Sequence, residues 1–285
     1  MFGYNNVYYD KNSVYCVDSI HEYDFLREIF NNLRSDFNLF ENFDFYIYTQ
    51  HNTNILPESC YNSGSKILIY LSNETNSQLP SEVINNYKFI FKSHLDKSLF
   101  KDINNLYYLP LGYSKFVPKL PIKNITERKY NLFFSGNLNI NRINVYNETL
   151  KNKAFYENIN SYIKFTDGFA KGLSPEEYAN VLNESKIVLS PRGFITTDCF
   201  RTYEAMRQGC IVISDKLFDE EIFNNSPIIQ IKDWSDLSYI ANYIISNEDF
   251  INRLSNNTIQ YYENIFSGKG VSKYIVDIIN SRYVE

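Results

Sequence analysis

Short apolar runs alternate along the whole chain with segments whose apolar side chains recur at helical spacing. The runs that predict strands in the first half are SVYCVD (13–18), FDFYIYTQ (43–50), KILIYLS (66–72), KFIFKS (88–93) and LYYLPLG (106–112). Between them, EYDFLREIFNNL (22–33) predicts an amphipathic helix that begins at a capping box of Ser19 and Glu22. SEVINNY (81–87) predicts a shorter helix.

The second half repeats this alternation. Its strand-like runs are YNLFFSG (130–136), SYIKFTDG (161–168), IVLSP (187–191), CIVISD (210–215) and IIQI (228–231). Helices are predicted over NRINVYNETLKN (141–152), SPEEYANVLNESK (174–186), Thr197–Gln208 and the C-terminus. Ser174 is expected to be an N-cap and Pro175 the first helical residue. Two halves of alternating strands and helices predict an α/β fold of two Rossmann-like domains that face a central cleft.

The segment VPKLPIKNITERK (117–129) contains prolines and lysines and lacks periodicity, which favours a linker. We therefore expect an N-terminal domain over residues 1–125 and a C-terminal domain over residues 126–285. The last helix is expected to pack back on the N-terminal domain.

Charge and cysteine content narrow the class of protein. The net charge of the 285 residues is −5, and no basic block or stripe occurs, so nucleic-acid binding has no electrostatic support. The four cysteines show neither a CxxC pair nor zinc-type spacing. No run approaches the roughly 20 apolar residues of a membrane span, and the N-terminus lacks the pattern of a signal peptide. These features predict a cytoplasmic protein.

The candidate chemistry is concentrated in SPRGFITTDCFRTYEAMRQGCIVISD (190–215). Arg192 and Gly193 follow a predicted strand, at the edge where open α/β sheets bind ligands. The guanidinium of Arg192 can offer two parallel donors to phosphate oxygens, and Gly193 permits close backbone approach. Thr197 and Asp198 are typical N-cap residues, and free N–H groups at a helix start favour an anion. The segment therefore predicts a site for a nucleoside diphosphate.

Two further pairs of residues extend this prediction. Arg201 and Glu204 lie three positions apart and share a helix face, so the arginine could meet the diphosphate while the carboxylate accepts hydrogen bonds from ribose. A simple helix ion pair, worth only a few tenths of a kcal/mol, remains the alternative. Gly136 and Arg142, where the second half begins, are candidate donor contacts, although Arg142 could equally be a solvated arginine.

The pattern P-R-G…D-x-F-R-x-Y-E-A-x-x-x-G-C-I over residues 191–211 resembles the donor-binding segment of exostosin-like glycosyltransferases. It is more loosely similar to the segment of bacterial α-1,3-fucosyltransferases in which Gly-Cys-Ile-Pro is typical; here Val212 replaces that proline. The resemblance extends over about residues 106–215 and is clearest over 165–215.

This resemblance implies a GT-B architecture, with the nucleotide sugar bound by the C-terminal domain and the acceptor facing the N-terminal one. It also implies inversion at the anomeric carbon, which needs a general base for the acceptor hydroxyl. Neither a bound metal nor a cofactor is expected, because arginines and a helix N-terminus offset the charge of the leaving diphosphate. The nucleotide-diphosphate sugar is then a co-substrate.

Three residues that follow strand-like runs of the first half are candidates for the base: Glu74, His21 and His51. Glu74 is preferred, because KILIYLSNET is similar to the strand and glutamate that supply the base in the fucosyltransferases. An exposed loop glutamate without a catalytic role remains the alternative. His94 is a weaker candidate than these.

The predicted function is transfer of a sugar from a nucleotide-diphosphate sugar to a glycan or lipid-linked glycan acceptor, in bacterial surface polysaccharide synthesis. Peripheral association with the inner membrane face is left open. Two alternatives also remain open: a non-catalytic GT-B-like module that binds a nucleotide or glycan, and a GT-B nucleotide-sugar epimerase.

Overall fold

The computed structural model of the protein describes residues 6–9, 20–37, 40–49, 66–71, 74, 79, 81–100, 102–168 and 171–283. The chain divides into two compact units, one of residues 1–115 and 265–285 and the other of residues 116–264. The strand predicted at 13–18 and the candidate base His51 lie outside the described residues.

The first unit is built on a parallel sheet whose described strands follow chain order, β1-β2-β3-β4-β5. Its elements up to residue 108 are β1 (Val7–Tyr9), α1 (Tyr23–Asp36), β2 (Asp44–Thr49), β3 (Lys66–Leu71), α2 (Ser81–Asn86), β4 (Phe89–Lys92) and β5 (Leu106–Tyr108). The sequence did not predict β1, whereas it did predict the other strands. Continuous burial along β3 and β4 fits a parallel sheet that is covered on both faces.

Helix α1 starts one residue later than its apolar pattern predicts, and the expected capping box is wrong. Glu22 is the N-cap, and no side chain caps the helix. The backbone carbonyl of His21 accepts a hydrogen bond from the amide of Lys115 at 2.7 Å, which holds residue 21 outside the helix. The buried face of α1 consists of Phe25, Leu26, Ile29, Phe30 and Leu33.

The second unit is a parallel sheet in the order β10-β9-β8-β6-β7. Its elements are β6 (Tyr130–Asn137), α3 (Ile143–Lys151), α4 (Lys153–Asn158), β7 (Ser161–Thr166), α5 (Pro175–Asn183), β8 (Ser185–Ser190), α6 (Phe200–Arg207), β9 (Ile211–Ser214), β10 (Ile229–Gln230), α7 (Leu237–Ile245) and α8 (Glu248–Tyr261). The chain runs outward from β6 to β7 and then returns to place β8 on the other side of β6. Strand order therefore reverses between β6 and β8, and such a switch point opens a crevice at the carboxyl ends of the strands.

The structure confirms the predicted start of α5 and shows a glycine directly after the C-cap of α6. Ser174 caps α5 in a full capping box with Glu177, and Pro175 is the first helical residue. Gly209 follows α6 with φ of +70°, the left-handed conformation that glycine adopts readily after a helix. A side chain there would also collide with Ile259, since an added Cβ would lie 2.8 Å from its Cδ1.

The segment after Phe116 belongs to the second unit, so the division comes about ten residues before the boundary expected at residue 125. Hydrogen bonds explain this difference. A guanidinium nitrogen of Arg207 donates to the carbonyl of Val117 at 2.7 Å, and the amide of Leu120 donates to Oε1 of Gln208 at 3.3 Å. Segment 117–129 is thus fixed to the body of the unit instead of acting as a linker.

Arg128 also holds segment 117–129 in place, through hydrogen bonds to several carbonyls, and it is 3% exposed. It donates to the carbonyls of Lys123, Ser185 and Gln208, at 2.9 to 3.1 Å, 2.9 Å and 2.6 Å respectively. It also contacts Sγ of Cys210 at 3.2 Å. One guanidinium therefore joins segment 117–129 to the amino ends of β8 and β9.

The chain returns to the first unit through a π-helical turn at Tyr262–Phe266 and helix α9 (Gly268–Tyr283). Val271, Ile275 and Ile279 of α9 join the apolar core that α1 forms with the sheet. Among the described residues, none of the helices combines the length and apolarity needed to cross a membrane.

We expect Arg128→Met to destabilise the second unit by about 3 kcal/mol, because three carbonyls, two of them in buried hydrogen bonds, lose a donor at once. The measurement is urea unfolding followed by the fluorescence of Trp234, the single tryptophan, which is buried in this unit. Arg253→Met, at an exposed position of α8, is the control and should change stability by less than about 1 kcal/mol. Equal effects of the two variants would contradict the structural role of Arg128.

Candidate functional site

The candidate site lies where strand order reverses, at the carboxyl ends of β6 and β8. Gly136 is near the end of β6, Arg142 ends the turn that follows it, and Arg192 comes just after β8. Arg201 lies in α6, which also follows β8. The fold thus brings three arginines that are up to 59 residues apart in the sequence to one edge of the sheet.

Arg201 is directed across the sheet edge toward β6. One of its nitrogens, Nη2, donates to the carbonyl of Ser135 at 2.7 Å, and its guanidinium carbon lies 4.7 Å from the ring centre of Phe134. The other two nitrogens, Nε and Nη1, are buried and have no hydrogen-bond partner among the described residues. A buried cationic donor without an acceptor is costly, so these two N–H groups indicate a place for an anion.

Arg142 lies beside Arg201, on the same aromatic ring. Its guanidinium carbon is 5.8 Å from the ring centre of Phe134, and Nη1 donates to the carbonyl of Asn137 at 2.7 Å. A Cβ added at Gly136 would lie 2.6 Å from Nη2 of Arg201 and 3.4 Å from Nη1 of Arg142. Glycine at this position therefore leaves the space that the two guanidinium groups share.

The Pro-Arg-Gly loop is closed by its own hydrogen bonds. Arg192 folds back so that Nε and Nη2 both donate to the carbonyl of Ile195, with Nε at 2.6 Å. Its amide donates to Oδ2 of Asp215 at 2.6 Å, and Oδ1 of the same carboxylate accepts from the indole of Trp234 at 2.9 Å. Asn141 donates to the carbonyls of Gly193 and Phe194 at 3.0 and 2.6 Å, which fastens the loop to the turn after β6.

The predicted capping of α6 by Thr197 or Asp198 is wrong. The helix begins at Phe200, and its N-cap is Cys199, which makes no side-chain capping bond. Asp198 is only 6% exposed, and its Oδ1 accepts a hydrogen bond from the hydroxyl of Tyr203 at 2.8 Å. Because that carboxylate is turned into the core, it cannot cap the helix.

Glu204 is 3% exposed and is hydrogen-bonded to the hydroxyl of Tyr178 in α5. Burial raises the pKa of Tyr178 well above its usual value, and the negative charge of Glu204 raises it further. Arg201 opposes this shift through its positive charge. The simple ion pair between Arg201 and Glu204 is not formed, because Arg201 turns toward β6 and Glu204 toward Tyr178.

Two of the three base candidates lie in the described part of the first unit. His21, which precedes α1, has Nδ1 2.9 Å from Oγ of Ser114. Burial lowers the pKa of His21, and the positive charge of Lys115 lowers it further, which favours the neutral imidazole. Glu74 follows β3 and has a side chain that is 42% exposed.

The structure adds His94, which sequence analysis ranked below the others. Its Nε2 lies 4.0 Å from Oε1 of Glu74, and its side chain is 5% exposed. Its φ of 53° is in the left-handed region, which costs a residue with a Cβ about 1 kcal/mol. His94 follows β4 as Glu74 follows β3, so both lie at the carboxyl edge of the sheet of this unit.

A family model of known proteins, described as the RXYLT1 C-terminal domain, matches residues 118–284, more than half of the chain. The chain belongs to the RXYLT1 C-terminal domain family. Together with the fold, this confirms the resemblance to exostosin-like GT-B glycosyltransferases and the predicted pair of parallel-sheet α/β domains. A search of curated protein sequences finds no significant match.

Several solved structures are similar to this RXYLT1 C-terminal domain family member. The Glycosylation Associate Protein (Gap123) complex of Streptococcus agalactiae matches with 14% identity and a TM-score of 0.50, over 89% of this chain and 58% of that one. A glycosyltransferase of Rickettsia africae matches with 12% identity and a TM-score of 0.45, over 88% and 80% of the two chains. A TarM variant of S. aureus, in complex with Fondaparinux, alpha-GlcNAc-glycerol and UDP, matches with 11% identity and a TM-score of 0.43, over 75% and 55%.

The aromatic part of the site was not predicted from the sequence. Phe134 supports both guanidinium groups, and Tyr178 holds Glu204, yet each occurs in an apolar or helical pattern that explains it by burial alone. No local signal separates them from other core aromatics. His94 did carry a signal, since it directly follows a predicted strand.

Gly136→Ala should displace Arg201, because the new methyl would overlap Nη2 of its guanidinium. We expect at least about a tenfold loss of affinity for inorganic pyrophosphate, in line with loss of a charge-assisted hydrogen bond. Isothermal titration calorimetry is the measurement. Gly168→Ala is the matched control, because the Cβ there meets only the flexible side chain of Lys171. Unchanged pyrophosphate affinity in Gly136→Ala would contradict the geometry.

Proposed function

We propose that the protein is a glycosyltransferase that binds a nucleoside-diphosphate sugar at the edge between β6 and β8. The observation that carries this proposal is the buried guanidinium of Arg201, whose Nε and Nη1 lack acceptors at the switch point of the sheet. Diphosphate oxygens would supply those acceptors. The glycosyltransferase fold and family support this function.

The two arginines have a role in the chemistry. Negative charge develops on the leaving diphosphate as the bond to the anomeric carbon breaks. Arg201 and Arg142 already lie together on the ring of Phe134, so two positive charges are gathered where the charge of the diphosphate would develop. Arg192 has a different role, because its guanidinium closes the loop by donating to the carbonyl of Ile195.

The ribose is assigned to the pair of Glu204 and Tyr178. A carboxylate with a hydroxyl partner can accept from and donate to the two ribose hydroxyls. The position of Glu204, one helical turn from Arg201, suits the distance between a diphosphate and its ribose.

We assign the general base to Glu74, positioned by His94. Glu74 is the more exposed of the two, so its carboxylate can reach an acceptor, and the nearly buried imidazole of His94 lies 4.0 Å from its Oε1. The carboxylate takes the proton of the acceptor hydroxyl, the acceptor oxygen forms a bond to the anomeric carbon, and the bond to the diphosphate breaks. Attack opposite the leaving group inverts the anomeric configuration. His21 is the competing assignment, on the grounds of its lowered pKa.

The acceptor is proposed to be a glycan or lipid-linked glycan, and the biological role synthesis of bacterial surface polysaccharide in the cytoplasm or at the inner membrane face. The family-level resemblance supports these finer assignments. The chain spans 58% of the Gap123-complex chain that it resembles. The proposed acceptor and biological role therefore concern the activity of the whole protein.

The donor proposal is tested by thermal unfolding with the diphosphates of uridine, guanosine, adenosine and cytidine. One of them, at 100 times its Kd, should stabilise the native state by about 2.7 kcal/mol and raise Tm by a few degrees. Arg201→Met should abolish that rise, since it removes the unpaired donors, whereas Arg253→Met should retain it. Failure of all four diphosphates with folded protein would exclude the donor site and favour a glycan-binding module without transferase activity.

The assignment of the base is tested by turnover of the sugar conjugate of the diphosphate identified in that way. Glu74→Gln should lower kcat by at least about 100-fold and leave donor affinity unchanged, in the range of general base catalysis. His94→Asn keeps a residue type that tolerates left-handed φ, and it should lower kcat less than Glu74→Gln does. Added formate should partly restore the kcat of Glu74→Ala. Normal turnover in Glu74→Gln, together with a loss of turnover in His21→Asn, would identify His21 as the general base instead.

A further inference from the structure

A groove of about 410 Å³ lies in the second unit, between segment 122–125 and helix α8. Segment 122–125 precedes the amino end of β6, and Gly209, at the amino end of β9, accepts a hydrogen bond from Ser255 in the wall of the groove at 2.7 Å. In a parallel sheet the amino and carboxyl ends lie at opposite edges. The groove is therefore distinct from the donor edge.

The polar lining of the groove consists largely of amides. Asn252 and Asn256 lie one helical turn apart on α8, so they share a face. Neither side chain has a hydrogen-bond partner among the described residues. Asn124 uses its Oδ1 to accept from the amide and hydroxyl of Thr126, both at 3.2 Å, which fixes its side chain and leaves its amide nitrogen to donate.

The groove is electrically balanced. Its cation, Lys123, donates to both carboxylate oxygens of Glu184 at 2.9 Å. The hydrogen bond from Lys123 lowers the pKa of Glu184, so this carboxylate remains ionised at neutral pH. With this charge already paired, the groove favours neither an anion nor a cation, in contrast to the arginines of the donor edge.

The walls are fixed before any ligand binds. Arg128 holds the carbonyl of Lys123, and Ser255 holds that of Gly209. Ile259 contacts Gly209 closely enough that a Cβ there would clash with it. Apolar surface between the amides comes from Ile122, Ile125 and Ile259. A pre-formed pocket of a few hundred Å³ with few fixed polar groups is typical of small-ligand sites.

We propose that this groove binds a neutral saccharide. An amide offers a donor and an acceptor side by side, which matches two neighbouring hydroxyls of a sugar ring. The isoleucine side chains provide apolar surface for the C–H groups of the ring. The polar lining of the groove is made of neutral amides, whereas a phosphate site would need a cluster of cations. The inference is independent of the proposed transferase activity, since it involves other residues and the opposite edge of the sheet.

The test is binding of three neutral oligosaccharides, maltotriose, cellotriose and triacetylchitotriose, to the full chain, measured by saturation-transfer NMR and calorimetry. We expect at least one of them to bind, and the double variant Asn252→Ala with Asn256→Ala to weaken binding about tenfold or more, as loss of two hydrogen bonds requires. Alanine favours helix more than asparagine does, so this loss would not reflect unfolding of α8.

Asn257→Ala is the matched control, because Asn257 is exposed on the same helix and does not line the groove. It should leave saccharide affinity within about twofold of the original, as surface substitutions usually do. Absence of binding by all three oligosaccharides, or equal affinity in the double variant, would overturn the proposal. Saccharide binding without a response to any nucleoside diphosphate would retain this groove and reject the donor site.

Discussion

The second unit depends on the buried guanidinium of Arg128. It replaces water for three backbone carbonyls from three separate parts of the chain, and without it those carbonyls would be buried without a donor. The strands next to the Pro-Arg-Gly loop and Asp215 start at this point, as β8 begins at Ser185 and β9 follows Cys210. Arg128 thereby holds the amino ends of β8 and β9, and the position of each strand's start also sets where its carboxyl end lies.

Arg128 and Arg201 show how one residue type serves two purposes in the same unit. All the bonds of Arg128 go to neutral acceptors of the protein, which makes it part of the framework. Arg201 is equally confined by Phe134 and Ser135, yet two of its N–H groups lack acceptors. The two residues thus differ in how many of their buried N–H groups have an acceptor, and only Arg201 leaves donors for a further group.

Local signals predicted much of this fold. Apolar runs identified β2 to β10, and the residues at 174–177 formed the expected capping box because those interactions are local. The direction of side chains was not predictable, since it depends on contacts across the sheet. Arg192 turned to its own loop, and Asp198 turned to Tyr203. The family pattern singled out residues 191–211, but only the reversal of strand order shows why Arg142 and Arg201 lie close together.

Asp215 connects the loop after β8 to the indole of Trp234, with one carboxylate oxygen for each. A shift of the loop would pull on the carboxylate and alter the hydrogen bond of the indole, whose emission depends on that bond. Because the chain has a single tryptophan, its spectrum contains no competing signal. The indole is therefore two hydrogen bonds from the candidate site, so a movement of the loop would change its fluorescence and could be followed without a label.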